Sequence, residues 1–349
     1  MQSESNHEQR KADHIRINLE ENVSFNKTTS SLENYTFLHQ ALPEINLADV
    51  DTTQTLFNKT LKTPLLISSM TGGTSEARKI NRMLATAAQE MGIAMGIGSQ
   101  RAAIEDDSLT NTYQIRDVAP DILLFANLGA VQLNYHYGLT ECQRAVDMCQ
   151  ADALILHFNP LQEAVQPEGD GDFSNLLSKV EAVCRQLSVP VIAKEVGWGF
   201  SEQAARQLAS AGVAAIDVAG AGGTSWSQVE MYRAPTTHHA RVAASFIDWG
   251  ISTAVSIQYC RHAAPNLPII ASGGIKNGID VAKCIALGAQ IVGFAGQFLQ
   301  AVHANGINGV IELTNILTDE LRIAMFCSGA QNLTNLAQTK LLQNDRAAR

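Results

Sequence analysis

Between residues 63 and 297 the chain alternates short, nearly unbroken apolar runs with longer stretches whose apolar residues recur every three or four positions. The runs are TPLLISSM (63–70), AMGIGSQ (94–100), DILLFANLG (121–129), ALILHFNP (153–160), PVIAKEV (190–196), AAIDVAG (214–220), PIIASGG (268–274) and IVGFAGQ (291–297). A strand with one wet face alternates apolar and polar residues, whereas a continuous apolar run suits a parallel strand covered on both faces. The stretches between the runs carry helix ends: Ser75-Glu76 opens one with Ile80, Met83, Leu84, Ala87 and Met91 in phase, and Gly92 closes it. Segments 201–212 and 278–288 are punctuated in the same way. Eight such repeats predict an α/β chain folded as a TIM (β/α)8 barrel with an N-terminal arm and C-terminal helices. The long interval 221–267 predicts an inserted loop or extra helices at the barrel mouth after the sixth strand.

The flanks read differently. Residues 1–62 show no strong strand-helix unit and are expected to form an arm and a barrel-closing segment, with the barrel and its C-terminal helices over 63–349 in the same single domain. Helices are expected near 315–326 and 332–343, and disorder in the first nine and last six residues.

Composition narrows the class. The 349 residues are 46% hydrophobic and 17% charged, with no apolar run of membrane-spanning length and no signal-like start, so the expectation is a cytoplasmic protein without a membrane partner. A formal charge of −9 supplies no basic field for nucleic acid, and an anionic ligand must be held by local donors. Cysteines 142, 149, 184, 260, 284 and 327 show no metal-ligand or CxxC spacing and are expected to be reduced.

In such a barrel the chemistry collects at the C-terminal strand ends. Glycines 273-274 after the seventh run and Ala295-Gly296 after the eighth would let backbone N–H groups approach a phosphate, although tight strand-to-helix turns need glycines too. Gly222-Gly223 reads better as a turn presenting Thr224 and Trp226. Lys194 interrupts an apolar strand, where an unpaired ammonium is costly. Two partners would satisfy it: a flavin ring that gains negative charge on reduction, or an ion pair with a carboxylate such as Asp217. Gln162 and Glu163 follow His157 in a loop leading to PEGDGD, and one carboxylate beside a carboxamide suits Mg2+ as well as plain solvation. Arg10, Lys11 and His14 make a small basic group in the arm, equally readable as solvated surface or as a clamp on an anion.

Taken in order, RKADH, SSMTGG, GSQR, ANLGA, HFNPLQE, KEVGWG, AGAGGTSW, SGGIKNG and GFAGQFL resemble the type 2, FMN-dependent isopentenyl-diphosphate isomerases over nearly the whole chain. The resemblance implies that Ser68, Ser69, Met70, Thr71, Ser99, Asn127, Lys194, Thr224, Gly274, Ile275, Lys276, Ala295 and Gly296 contact flavin mononucleotide (FMN). It implies that Arg10, Lys11, Ser99, Gln100, Arg101 and Gln162 contact a small diphosphate substrate, and that Glu163 binds Mg2+. It further implies a reduced flavin that carries the proton, NADPH as reductant, Lys194 stabilising the reduced ring, and Gln162 and His157 orienting the diphosphate. A homo-oligomer, tetramer or octamer, would follow as well. Phe158 and Pro160 depart from the usual family residues without removing a functional group. The competing reading is an FMN-dependent 2-hydroxyacid oxidase or dehydrogenase. It expects a histidine base beside an arginine after the sixth strand, where AGAGGTSW stands, with His238, His239 and Arg241 nearby in another context.

Overall fold

The computed structural model describes residue 11 and residues 13–344. Helical residues 13–20 precede β1 (Tyr35–Phe37) and the hairpin strands β2 (Gln54–Leu56) and β3 (Lys59–Leu61). The barrel follows: β4 (Leu65–Ile67), β5 (Ala94–Gly96), β6 (Leu124–Gly129), β7 (Ala153–Phe158), β8 (Val191–Glu195), β9 (Ala215–Asp217), β10 (Ile269–Ser272) and β11 (Ile291–Phe294). These strands pair in parallel in sequence order, and β11 returns to β4 to close the ring. Each of the eight apolar runs holds one barrel strand, as a ring buried against helices outside and side chains inside demands.

The helix ends are chemically specified. Thr74 Oγ1 accepts the Ala77 N–H at the start of Ser75–Met91, and Gly92 ends that helix in the left-handed region (φ 64°). The interval after β9 folds into three helices, Trp226–Arg233, Thr237–Ala244 and Thr253–Ala263.

Three sequence expectations need correction. The tail helix is not confined to 315–326: Gly296–Cys327 is helical from the end of β11, interrupted at Asn305-Gly306. The segment 332–343 is not one helix. Leu333–Ala337 is helical, and β12 (Leu341–Gln343) pairs antiparallel with β1, because the edge of Tyr35–Phe37 offers backbone partners that no helical turn could match. Asn344, expected in a disordered end, donates its N–H to the Asn34 carbonyl at 2.8 Å; residues 1–9 and 345–349 lie outside the described residues.

The β2–β3 hairpin plugs the N-terminal end of the barrel. Phe57 and Asn58 both have positive φ (47° and 61°), the turn geometry that matches the twist of a two-residue hairpin. Phe57 meets that backbone demand while its ring stands edge-on to Phe125 at 6.4 Å. Leu56 and Leu61 join the inward side chains of the strands in one cluster. Among the described residues no helix is long and apolar enough to cross a membrane. All six cysteines are free, and burial pushes the Cys142, Cys149 and Cys260 thiols up to about 12, which keeps them protonated and inert.

Candidate active site at the barrel mouth

Side chains alternate along a strand, so residues two apart share a face. Inside the barrel the lower inward layer is apolar: Leu66, Ala94, Phe125, Ile155, Ile192, Ala215, Ile270 and Ile291. Two residues further along each strand the layer changes to Ser68, Gly96, Asn127, His157, Lys194, Asp217, Ser272 and Gly293. The barrel is therefore dry below and polar directly beneath its C-terminal mouth.

The polar layer is wired. Lys194 Nζ donates to Asp217 Oδ2 at 2.6 Å and to Ser272 Oγ at 3.2 Å, and Ser272 Oγ donates to Asp217 Oδ1 at 2.6 Å. The Asp217 pairing that competed with a flavin contact is present. It does not exhaust the lysine, because an ammonium has three donors and two are accounted for. His157 Nδ1 lies 2.8 Å from Asn127 Oδ1, which fixes the imidazole across the mouth.

Glu195, next to Lys194, faces the other way. Its Oε2 accepts the N–H groups of Val196, Gly197 and Trp198 at 2.7, 2.8 and 2.6 Å, clamping the turn on which Thr224 and Trp226 rest. Burial pushes the carboxyl up to about 7, against the pull of those three N–H groups and of Lys194. In the folded chain Glu195 holds its proton to higher pH than in the unfolded chain, so its ionisation costs stability as pH rises from about 4.5 to about 7. Relative to Glu195→Gln, the wild type is expected to lose on the order of 3 kcal/mol across that window and nothing further above it. Urea titrations of the two proteins at successive pH values measure that difference.

Glycines 273 and 274 (φ 103° and 67°) lie backbone to backbone against the turn after β9: a Cβ on Gly274 would stand 2.4 Å from Gly222 C, and one on Gly223 would stand 2.6 Å from Gly274 N. These four glycines are first a requirement of two turns packed without side chains. Gly296 differs, since a Cβ there would meet nothing within 4 Å. It opens a helix whose N-cap, Ala295, offers no side-chain bond, so the first amides face open space. Just past the neighbouring strand β4, Ser68 Oγ, Ser69 Oγ and Thr71 Oγ1 are buried without a hydrogen-bond partner among the described residues. After β10 Ile275 is buried and Lys276 exposed, and after β4 Met70 packs half-buried against the core.

The arm lies across the mouth. Ser225 N bonds to Val23 O at 2.7 Å, Thr224 Oγ1 to Asn18 Oδ1 at 3.4 Å, and Ile17 and Val23 pack with Val229 and Trp226. Arg10 lies outside the described residues. Lys11 Nζ reaches Ser99 O at 3.3 Å and Tyr113 Oη at 2.8 Å. Arg101 pairs with Glu105 and Asp170 at 2.8 and 2.6 Å. Gln100 corrects an expectation: its side chain is wholly buried, donating to Ala145 O at 2.7 Å and accepting from Asn127 N at 2.9 Å. Its amide is spent on the scaffold.

Glu230 is the residue that sequence reasoning missed. It is buried where three elements meet, with Oε1 at 3.2 Å from His14 Nε2 and 3.1 Å from Gln162 Nε2, and Oε2 at 2.5 Å from Arg233 Nη1. Burial works to raise its carboxyl, but His14, Arg233 and Gln162 prevail and hold it below the ordinary range. It thus remains an anion at neutral pH and ties the arm to the segment that follows β7. Where the sequence leads to the expectation of a loop, Pro160–Val165 is a helical turn started by Pro160. In it Glu163 Oε1 accepts from Asn159 Nδ2 at 2.7 Å and Oε2 from Asp170 N at 2.7 Å, while Asn159 Oδ1 is buried without a partner among the described residues. Among the described residues no group of three or more His, Cys, Asp or Glu side chains is placed to hold a metal.

A closed parallel barrel with polar residues at its C-terminal mouth is the scaffold of a broad class of enzymes, and likeness to known proteins narrows that class. The profile of the FMN-dependent dehydrogenase family matches residues 3–112 and 153–343. Solved structures of mandelate oxidase share the fold at 18–19% identity: one with an FMN adduct has a TM-score of 0.63 with 90% of each chain covered, and one with benzoyl-formic acid 0.64 with 98% covered. Isopentenyl-diphosphate delta-isomerases are far more similar in sequence. That of Nostoc sp. is 54% identical over 96% of this chain and 95% of its own, that of Synechocystis sp. 56% over 95% of each, and that of Rickettsia bellii 52% over 96% and 97%. The chain belongs to the isopentenyl-diphosphate delta-isomerase family.

Proposed function

We propose that this chain interconverts isopentenyl diphosphate and dimethylallyl diphosphate at the barrel mouth, using FMN reduced by NADPH, and Mg2+ held through Glu163. The observation that carries the reading is the row of buried, unpartnered hydroxyls on Ser68, Ser69 and Thr71 beside the open helix start at Gly296. Buried polar atoms without partners are rare in folded chains, and a ring with polar edges joined to a phosphate answers both features at once. Reduced FMN would supply a ring nitrogen able to carry the proton that moves between two carbons of the substrate. Asn127, Thr224 and the third Lys194 proton would hold its polar edge, and Ala295-Gly296 its phosphate.

The chain's own residues account for the remaining steps. The isomerisation adds a proton at one carbon and removes one from another, so its barrier falls when the alkene is fixed and the diphosphate charge is balanced. His157, held by Asn127, and Gln162, held by Glu230, orient the diphosphate. Lys11, Arg101 and the neighbouring Arg10 offset its charge. Glu163 Oε1 and Oε2 accept from Asn159 Nδ2 and Asp170 N, and a carboxylate whose two oxygens offer about four acceptor sites suits Mg2+, an ion that takes few protein oxygens when substrate phosphates complete its shell. The aromatic and apolar group Trp226, Trp198, Leu161, Val196 and Phe25 at the same rim suits a short hydrocarbon.

The test is direct. The purified protein should show a flavin spectrum, bleach with NADPH, and then convert isopentenyl diphosphate in the presence of Mg2+; absence of product under those conditions defeats the proposal. Oxidation of lactate or glycolate in its place would favour the hydroxyacid oxidase reading. Within the isomerase, Glu230→Gln is expected to lower kcat/KM by roughly tenfold to a hundredfold, because Gln162 and His14 lose the anion that aligns them. Steady-state kinetics of the variant check it, and an unchanged kcat/KM would remove Glu230 from the site.

A further inference from the structure

Tyr113 plays no part in the reactions above, yet it is fully buried directly under the arm. Its hydroxyl donates to Ser99 O at 2.8 Å and accepts from Lys11 Nζ at 2.8 Å, and the same ammonium donates to Ser99 O at 3.3 Å. The ammonium also stands 5.5 Å from the centre of the Tyr113 ring. The three groups form a closed triangle that ties residue 11 to segments 88 and 102 residues away.

The glycines of SSMTGG make room for it. A Cβ on Gly72 would lie 2.1 Å from Tyr113 Cε1, and one on Gly73 would lie 2.8 Å from Lys11 Nζ and 3.0 Å from Tyr113 Oη. Gly73 has φ 82°, and its N–H is held by Thr112 Oγ1 at 3.1 Å, so the turn keeps this open shape next to the tyrosine. Ring, carbonyl and turn make a slot that matches an ammonium in charge and size. A hydroxyl at this depth stays protonated, since burial raises its pKa, and remains both donor and acceptor throughout the working range.

We infer that Tyr113 is a positioning residue for substrate binding: standing on Ser99 O, its hydroxyl seats the Lys11 ammonium at the rim of the mouth and so docks the arm over the diphosphate. The inference rests on the reading of the mouth as a diphosphate site. It assigns Tyr113 no contact with substrate or cofactor; its effect passes through Lys11.

The test is a double-mutant cycle on the full-length flavoprotein with Tyr113→Phe, Lys11→Ala and the pair. Tyr113→Phe keeps the ring and removes the hydroxyl. A bond to a charged group contributes enough that KM for isopentenyl diphosphate should rise roughly tenfold, with a smaller change in kcat. Lys11→Ala should raise KM at least as much, and the double variant should be no worse than Lys11→Ala alone, because the tyrosine has then lost its client. A purely structural tyrosine would instead multiply its effect onto Lys11→Ala, and that outcome overturns the inference, as does an unchanged KM in Tyr113→Phe. Tryptic removal of the arm, followed by intact mass with and without inorganic diphosphate, gives a readout that needs no turnover: Tyr113→Phe should be trimmed several-fold faster. If the protein shows no isomerase activity, the functional reading falls and trimming alone decides this one, with an equal rate overturning it. Should Tyr113→Phe fold poorly, Gly73→Ala obstructs the slot from the opposite wall and should reproduce the Lys11→Ala phenotype; wild-type KM and trimming in that variant would count against the slot.

Discussion

Replacing Lys194 by methionine should destabilise the protein by about 3–5 kcal/mol at neutral pH, one of the largest losses expected from a single substitution in this chain. The reason lies in what remains. Asp217 has no exposed surface, and among the described residues its carboxylate is bonded only by Lys194 Nζ and Ser272 Oγ. Without the ammonium a buried negative charge keeps one hydroxyl for support, a situation far worse than burying neither group. The double variant Lys194→Met with Asp217→Leu should therefore recover most of the lost stability while staying inactive. Urea unfolding of the two variants beside wild type measures both statements. Equal instability in single and double variants would mean that packing, and not the ion pair, sets the loss. The double variant also separates two roles of Lys194: stability returns with the partner gone, but the donor aimed at the mouth does not.

This pair shows what the sequence made legible. A charged residue inside an apolar strand is conspicuous, and Lys194 in PVIAKEV and Asp217 in AAIDVAG both are. Their neighbours in the ring, Asn127, His157 and Ser272, could be placed at strand ends for the same reason, since eight strands buried on both faces leave unmistakable runs. Other features left no such mark. Gln100 follows a strand in a polar GSQR, and nothing local says that its amide turns inward to Ala145 while Arg101 turns out. Glu230 lies in a helix whose residues Ser227, Gln228, Val229 and Glu230 are all buried, so no period marks a wet face from a dry one. Its role depends on His14 and Gln162, both brought in by tertiary contact. Tyr113 follows a short helical turn, Asp107–Thr112, and its importance arises only when the arm folds back across it. The strand at 341–343 was hidden because three residues form it and its partner lies about three hundred residues earlier.

The glycine turns give the other large effect, Gly274→Val, and here the loss should fall on the cofactor more than on the fold. Gly274 has φ 67°, a conformation that a β-branched residue reaches only at a cost of roughly 1–3 kcal/mol. Its new Cβ would also stand 2.4 Å from Gly222 C and O and 2.9 Å from Gly223 N, and every one of those atoms is backbone, with no flexible side chain to yield. The two turns must separate. The barrel can tolerate this, because β10 is held by its neighbours on both sides below the turn. The mouth cannot, because the turn after β10 and the helix start at Gly296 are tied through Gln297 Nε2, which donates to Ile275 O at 3.0 Å. Moving one displaces the backbone amides expected to face the FMN phosphate and the turn that presents Thr224. The variant should be purified folded by circular dichroism yet retain at most about a hundredth of the wild-type flavin affinity, since losing two or more charge-assisted bonds to a phosphate removes about 3 kcal/mol. Flavin titration by fluorescence quenching reads this directly. Retention of flavin at wild-type affinity would show that these glycines serve only the packing of the two turns, and the phosphate site would then rest on Ala295-Gly296 alone.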